Sequence, residues 1–174
     1  LFINGVQLAS TTYASAIQSG LKPFTQGLLF SSGGARSDGV NGYVSDTRMI
    51  AGTALYTSNF VPPAAPLQAI TNTSWLINGT SAGIYDATMM NNMYTVGDAK
   101  LSTAVSKFGG SSMSFDGTVD YAAAPTNINF GYGTGDFTIE FWLYLNTVSV
   151  DQTIFSNLSS ASSVNPHIYY FGNS

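Results

Sequence analysis

Glu140, the single glutamate of this chain, is the residue best suited to acid–base chemistry, and it lies in the run FTIEFWLYL at 137–145. A retaining glycoside hydrolase needs a second carboxyl about 5–5.5 Å away, which on a strand means a neighbour two positions along the same face. Those positions hold Thr138 and Trp142, while Asp136 belongs to the GTGD turn at the strand entry. A catalytic carboxylate pair is therefore disfavoured, and the chain reads as non-enzymatic. His167, the lone histidine, follows Pro166 and has no placed Ser, Cys or Asp partner, which disfavours a nucleophile–base triad as well.

Metal chemistry has a firmer footing. Asp116 and Asp120 bracket the glycine turn of FDGTVD, and Asp46 lies on another strand that could approach the same sheet edge. Calcium takes several carboxylate and carbonyl oxygens from loops of this kind. An Asp-Gly pair is also a turn former that hydrogen-bonds its own backbone, so both readings of these residues stand. Asp46 and Arg48, two apart in GYVSDTRMI, read as a surface charge pair worth less than ~1 kcal/mol. The absence of cysteine removes disulfides and thiolate metal sites.

Binding chemistry is carried by aromatics. In 137–145, Phe137, Ile139, Phe141, Leu143 and Leu145 share one face; Thr138, Glu140, Trp142 and Tyr144 share the other. Trp142, Tyr144 and Glu140 are the candidate ligand-binding set, because sugar rings stack on aromatic faces while carboxylates bond their hydroxyls. Tyr169 or Phe171 could line a neighbouring strand. The same face would serve equally well buried under loops or an adjacent copy. Asn72, Asn78 and Asn157 stand in N-x-[ST] sequons, as chance allows in a chain so rich in Asn, Ser and Thr.

The elements that must hold these residues are strands. A strict period of two over the nine residues 137–145 is a strand with one face on a core. Asn4-Gly5 in LFINGVQLAS marks a tight hairpin. FTQGLLFS (24–31) and GYVSDTRMI (42–50) read as strands, the second with Val44, Asp46, Arg48 and Ile50 on one side. Pro62, Pro63 and Pro66 cannot donate to a ladder, so an extended linker is expected there. Beyond it, strands are expected from Thr73, at Tyr94–Val96, at Ala99–Leu101, as a first strand of the 108–145 stretch ahead of the alternating run, in QTIFSNLS and in PHIYYFGNS. Helical periodicity is nearly absent, and the turn spacing argues for an all-β antiparallel sandwich or jelly roll.

Composition narrows the partners. Only 8% of the 174 residues are charged, against roughly 25% in an average soluble domain, and the net charge is −4. Lysines and arginines are scattered singly, so no nucleic-acid partner is expected. No apolar run approaches ~20 residues, so no helical membrane span is expected. The opening on LFINGVQL, without an initiator Met, reads as an excerpt from a longer chain.

SKFGGSSMSFDGTVDYAAAP followed by GTGDFTIEFWLYLNT resembles the opening third of a laminin-G-like, concanavalin A-like jelly-roll domain. The lead-in TSWLINGTSAGIYDATMMNNMYTVGDAKLSTAVSK resembles that of copies in bacteriophage structural proteins. GYVSDTRMIAGTALYTSNFVPPAAPL resembles the closing strand and exit linker of the same domain type, and LFINGVQLAS its late hairpin. The end of the domain thus precedes its beginning. Residues 1–68 read as the C-terminal part of one copy with its Pro-rich exit linker, and 73–174 as the N-terminal part of the next in a tandem array. The alternative is one circularly framed sandwich over 1–174. The resemblance implies a repeated module of a virion, tail-fibre or cell-surface protein. Its partners would be other copies, other virion proteins or surface glycans, with no cofactor unless calcium. A ligand-free structural spacer and a glycan hydrolase are the alternatives.

Overall fold

The computed structural model describes residues 1–11, 23–30, 36–80, 83–127, 130–157 and 167–172, with backbone alone at 29, 30, 36 and 37. In chain order the strands are β1 (Phe2–Ile3), β2 (Val6–Gln7), β3 (Phe24–Gln26), β4 (Leu29–Phe30), β5 (Arg36–Ser37), β6 (Asn41–Ala51) and β7 (Thr73–Ile77). They continue with β8 (Tyr94–Val96), β9 (Lys100–Ser102), β10 (Ser112–Asp116), β11 (Tyr121–Ala124), β12 (Phe137–Leu145), β13 (Gln152–Ser156) and β14 (His167–Tyr170). The chain is all-β, and its strands pair antiparallel, as expected. The SSGGA stretch at 31–35 and the ends of QTIFSNLS and PHIYYFGNS lie outside the described residues.

Two five-stranded sheets carry the fold. The first runs β12-β6-β10-β9, with β7 also paired to β6; the second runs β14-β13-β3-β11-β8. Strand β6 is the axis of the first sheet. Along one edge it pairs with β12, and along the other with β10 at its start and β7 at its end. Both sheets therefore contain strands from before and after the proline segment.

The layers meet in one core. Phe24 of β3 packs on Trp75 of β7, on Phe130 and on Phe155 of β13, with ring centroids 4.6, 4.6 and 4.1 Å apart. Val44, Met49, Met113 and Phe115 of the first sheet complete it. Gln26 donates across the layers to the Thr47 hydroxyl at 2.7 Å.

Local chemistry explains the elements. Asn4 (φ 51) and Gly5 (φ 80) supply the two positive-φ positions of the β1–β2 turn. Strand β12 has the bounds of the alternating run, and Ile139, Phe141 and Leu145 pack on the core. Phe137 and Leu143 stay more than a third exposed, because β12 is the outermost strand of its sheet.

Two expectations about strands need correction. FTQGLLFS is not one strand: the chain breaks at Gly27 (φ 103), and β4 leaves for a separate two-stranded pairing with β5. A Cβ at Gly27 would stand 2.6 Å from the Phe115 ring, so only glycine passes that point. The alternation of GYVSDTRMI also changes phase. Val44 and Met49, an odd number of residues apart, both enter the core. Asp46 adopts φ 51, and pairing with β12 steps from Trp142↔Ser45 to Glu140↔Arg48. This is a β-bulge, and it turns Asp46 and Arg48 to the outer side of the sheet.

Candidate functional site

The outer face of β6 and β12 has two parts. At the Glu140 end it is covered by the segment 52–72, which folds back over the sheet as a strap. Thr138 accepts from the Leu55 N–H at 2.8 Å and donates to the Thr53 carbonyl at 2.9 Å. Arg48 donates to Glu140 Oε1 through Nε at 2.8 Å and Nη2 at 2.5 Å, and through Nη1 to the Gln68 carbonyl at 2.7 Å. Tyr56 donates to Glu140 Oε2 at 2.9 Å. The Arg48 and Glu140 side chains are only 7% and 14% exposed. Burial, reinforced by the bond to Glu140, pushes the Tyr56 hydroxyl up to about 12.

The β1–β2 hairpin rests on this strap. Phe60 donates its N–H to the Gly5 carbonyl at 2.9 Å, and its ring stacks on Tyr56 at 3.6 Å. Phe2 meets Phe60 edge-on at 5.5 Å, and Gln7 donates its N–H to Asn59 at 2.9 Å.

Asp46 is the seam between the two parts. Its carboxylate is 1% exposed and accepts from Ser45 Oγ at 2.5 Å, Asn78 Nδ2 at 3.2 Å and the Leu67 N–H at 3.3 Å. Asn78 also donates to the Leu67 carbonyl at 2.9 Å, so one side chain ties strap and sheet together. Asp46 and Arg48 are thus buried and separately partnered, where the sequence suggested an exposed pair. The bulge that brings Asp46 to the outer face is what made that difference.

Past the seam the face is open. Trp142 is half-buried and Tyr144 is 54% exposed, with Tyr43 6.0 Å from Tyr144 across the strand pair. The β9–β10 connection lays Phe108 edge-on to Trp142 at 5.8 Å and Lys107 Nζ 4.3 Å from its ring centroid. The predicted set thus divides. Trp142 and Tyr144 lie on the open part, whereas both oxygens of Glu140 are engaged by Arg48 and Tyr56 inside the protein. Lys107 and Phe108 were missed by sequence reasoning, since nothing in SKFGGSS marks that connection as folding over β12.

The predicted metal ligands serve turns. Asp120, 2% exposed, accepts from the Asp98 N–H at 2.6 Å and the Asp116 N–H at 2.9 Å. Asp116 accepts from the Thr118 hydroxyl at 2.6 Å and its N–H at 2.8 Å, and these bonds hold its carboxyl below the usual range. Asp46 is occupied at the seam, and among the described residues no three His, Asp or Glu side chains gather to hold a metal. Tyr169 lies within β14 and Phe171 directly after it, in the other sheet, so neither lines a strand beside Trp142. Thr153 and His167 meet at 3.3 Å; burial pulls the His167 imidazole below its usual range, and Asp38 opposes that.

Asp86 was also missed. It is 2% exposed and accepts from the Leu76 and Thr88 N–H groups, the Thr88 hydroxyl and Asn91, fixing the loop after β7. Its signal is present in DAT, an Asp two residues before Thr, which favours an Asx-type turn. No family model, no curated protein and no solved structure matches this chain.

Proposed function

We propose that this chain is a non-enzymatic jelly-roll module of a virion or cell-surface structural protein, displayed for adhesion to surface glycans through Trp142 and Tyr144. The observation that carries this reading is the partly exposed aromatic patch of Trp142 and Tyr144, flanked by Phe108 and Lys107, beside a largely covered charged pair on the same strand pair. Exposed rings with a flanking cation suit the apolar faces and hydroxyls of sugars. The 8% charged content suits a neutral partner. The reading is non-enzymatic because Glu140 is committed to holding the strap. The laminin-G-like resemblance supports the same conclusion. The pairing of β3 and β6 with strands beyond the strap supports one circularly framed sandwich over 1–174 as the folding unit of such a module.

The test is a glycan array probed with the parent and with Trp142→Ala. Oligosaccharide binding that the substitution weakens is expected. Polysaccharide hydrolysis lost in Glu140→Gln would overturn the non-enzymatic reading.

A structural spacer is the second reading, and the β1–β2 hairpin favours it. Its outward face presents Leu1, Ile3, Val6 and Leu8, each at least 50% exposed. Contact between copies there would appear as self-association in sedimentation, lost in Ile3→Lys with Val6→Lys.

A further inference from the structure

Where the strap meets the seam, a cavity of about 200 Å³ opens between Pro66 and Gln68, the Asn78–Thr80 segment after β7, and the rings of Tyr85 and Phe108. Asp46 also lines it. We infer that this cavity is the subsite for one neutral sugar ring of a glycan whose next ring lies on Trp142, an assignment that rests on the adhesive reading above.

Size is the first argument. The volume falls below the ~300–1,000 Å³ of pockets that take drug-sized ligands, and suits a single ring. Chemistry is the second. Asp46 is committed to Ser45, Asn78 and Leu67, so it shapes the polar wall of the cavity and holds Asn78 in place there. Thr80 lines the cavity, and its buried Oγ1 has no hydrogen-bond partner among the described residues. Buried polar atoms are nearly always satisfied, and an incoming hydroxyl would satisfy this one. Tyr85 and the half-buried Phe108 give the apolar walls that a ring's C–H faces need.

Charge disfavours acidic sugars in the cavity. Asp46 is the acidic side chain that lines it, Arg48, two residues on, is paired with Glu140, and Lys107 lies over the Trp142 ring. Continuity is the third argument. Phe108 both lines the cavity and meets Trp142 edge-on, so a chain of two rings can pass from cavity to platform without crossing the strap.

The test is saturation-transfer NMR with neutral hexoses and uronic acids, and with oligosaccharides that carry the same neutral hexose at one end. Thr80→Val, Tyr85→Ala and Trp142→Ala are compared with the parent, and thermal melts confirm that each variant folds. Thr80→Val and Tyr85→Ala are each expected to weaken hexose binding about tenfold, the loss of one good contact. Trp142→Ala is expected to leave the hexose unaffected and weaken only the oligosaccharide. Oligosaccharide binding that Trp142→Ala abolishes, but that both cavity variants retain, would overturn the subsite and leave the platform standing. A preference for uronic acids would also overturn it. Failure of the parent to bind any sugar would overturn subsite and platform together.

Discussion

The outer face of β6 and β12 has a closed part and an open part, and the two invert the usual polarity of a surface. Arg48 and Glu140 lie beneath the strap, 7% and 14% exposed, while Tyr144, one turn of the pleat beyond Trp142, is 54% exposed. Buried charge and exposed aromatic area are the two departures from ordinary surface composition that carry information. Here they occur on one strand pair, separated by the bulge at Asp46. The contrast teaches that residue type did not decide exposure. What lies over the sheet did: the strap provides a carbonyl for Arg48 and a phenol for Glu140.

The largest effect should come from breaking the closed part. Arg48→Met leaves the Glu140 carboxylate buried without its cation, a change that typically costs about 3–5 kcal/mol. Urea unfolding checks this, and a loss under about 1 kcal/mol would mean that the strap does not bury the pair. Asp46→Ala comes next. It strands the Leu67 N–H and the buried Ser45 hydroxyl at the seam, and about 2 kcal/mol is expected.

Tyr56→Phe removes one hydrogen bond to Glu140, and a loss of about 1 kcal/mol is expected. Its pH dependence sharpens the comparison. A tyrosine normally titrates near ~10, and in the fold Tyr56 is held up to about 12. A folded-state pKa above the unfolded one gives stability that is fully present below pH ~10 and is lost as pH climbs through the folded value. Unfolding followed from pH 9 to 12 should therefore show a steeper alkaline loss in the parent than in Tyr56→Phe.

The open part should be nearly silent in stability. Lys107→Ala removes an exposed cation–π contact worth about 0.5–1 kcal/mol, and Tyr144→Ser should fall within about 0.5 kcal/mol of the parent. Large losses at both positions would show that the aromatic patch is part of the fold's support.

Much of this was legible in the residues. The period of two in FTIEFWLYL placed Trp142, Tyr144 and Glu140 on one face, and Asn4-Gly5 marked its hairpin, because both signals are local. The division of that face was not legible. It depends on contacts such as Tyr56 with Glu140 and Lys107 with Trp142, 84 and 35 positions apart, which no periodicity encodes. The bulge was hidden for a different reason. An aspartate with positive φ inside an alternating run leaves the pattern intact on paper while shifting every later side chain by one face. The prolines marked the end of ladder pairing, yet carried no sign that the chain would fold back over the sheet.

The indole N–H signals of the two tryptophans test the division most directly. Trp75 is fully buried in the core and Trp142 half-buried beside the cavity, so the pair is a built-in control. In a proton–nitrogen correlation spectrum recorded while a neutral oligosaccharide bound on the array is titrated in, with Trp142→Phe for assignment, the Trp142 signal should shift progressively and the Trp75 signal should stay in place. A Trp142 signal that stays still while binding proceeds, or a shift of both indoles together, would contradict the account.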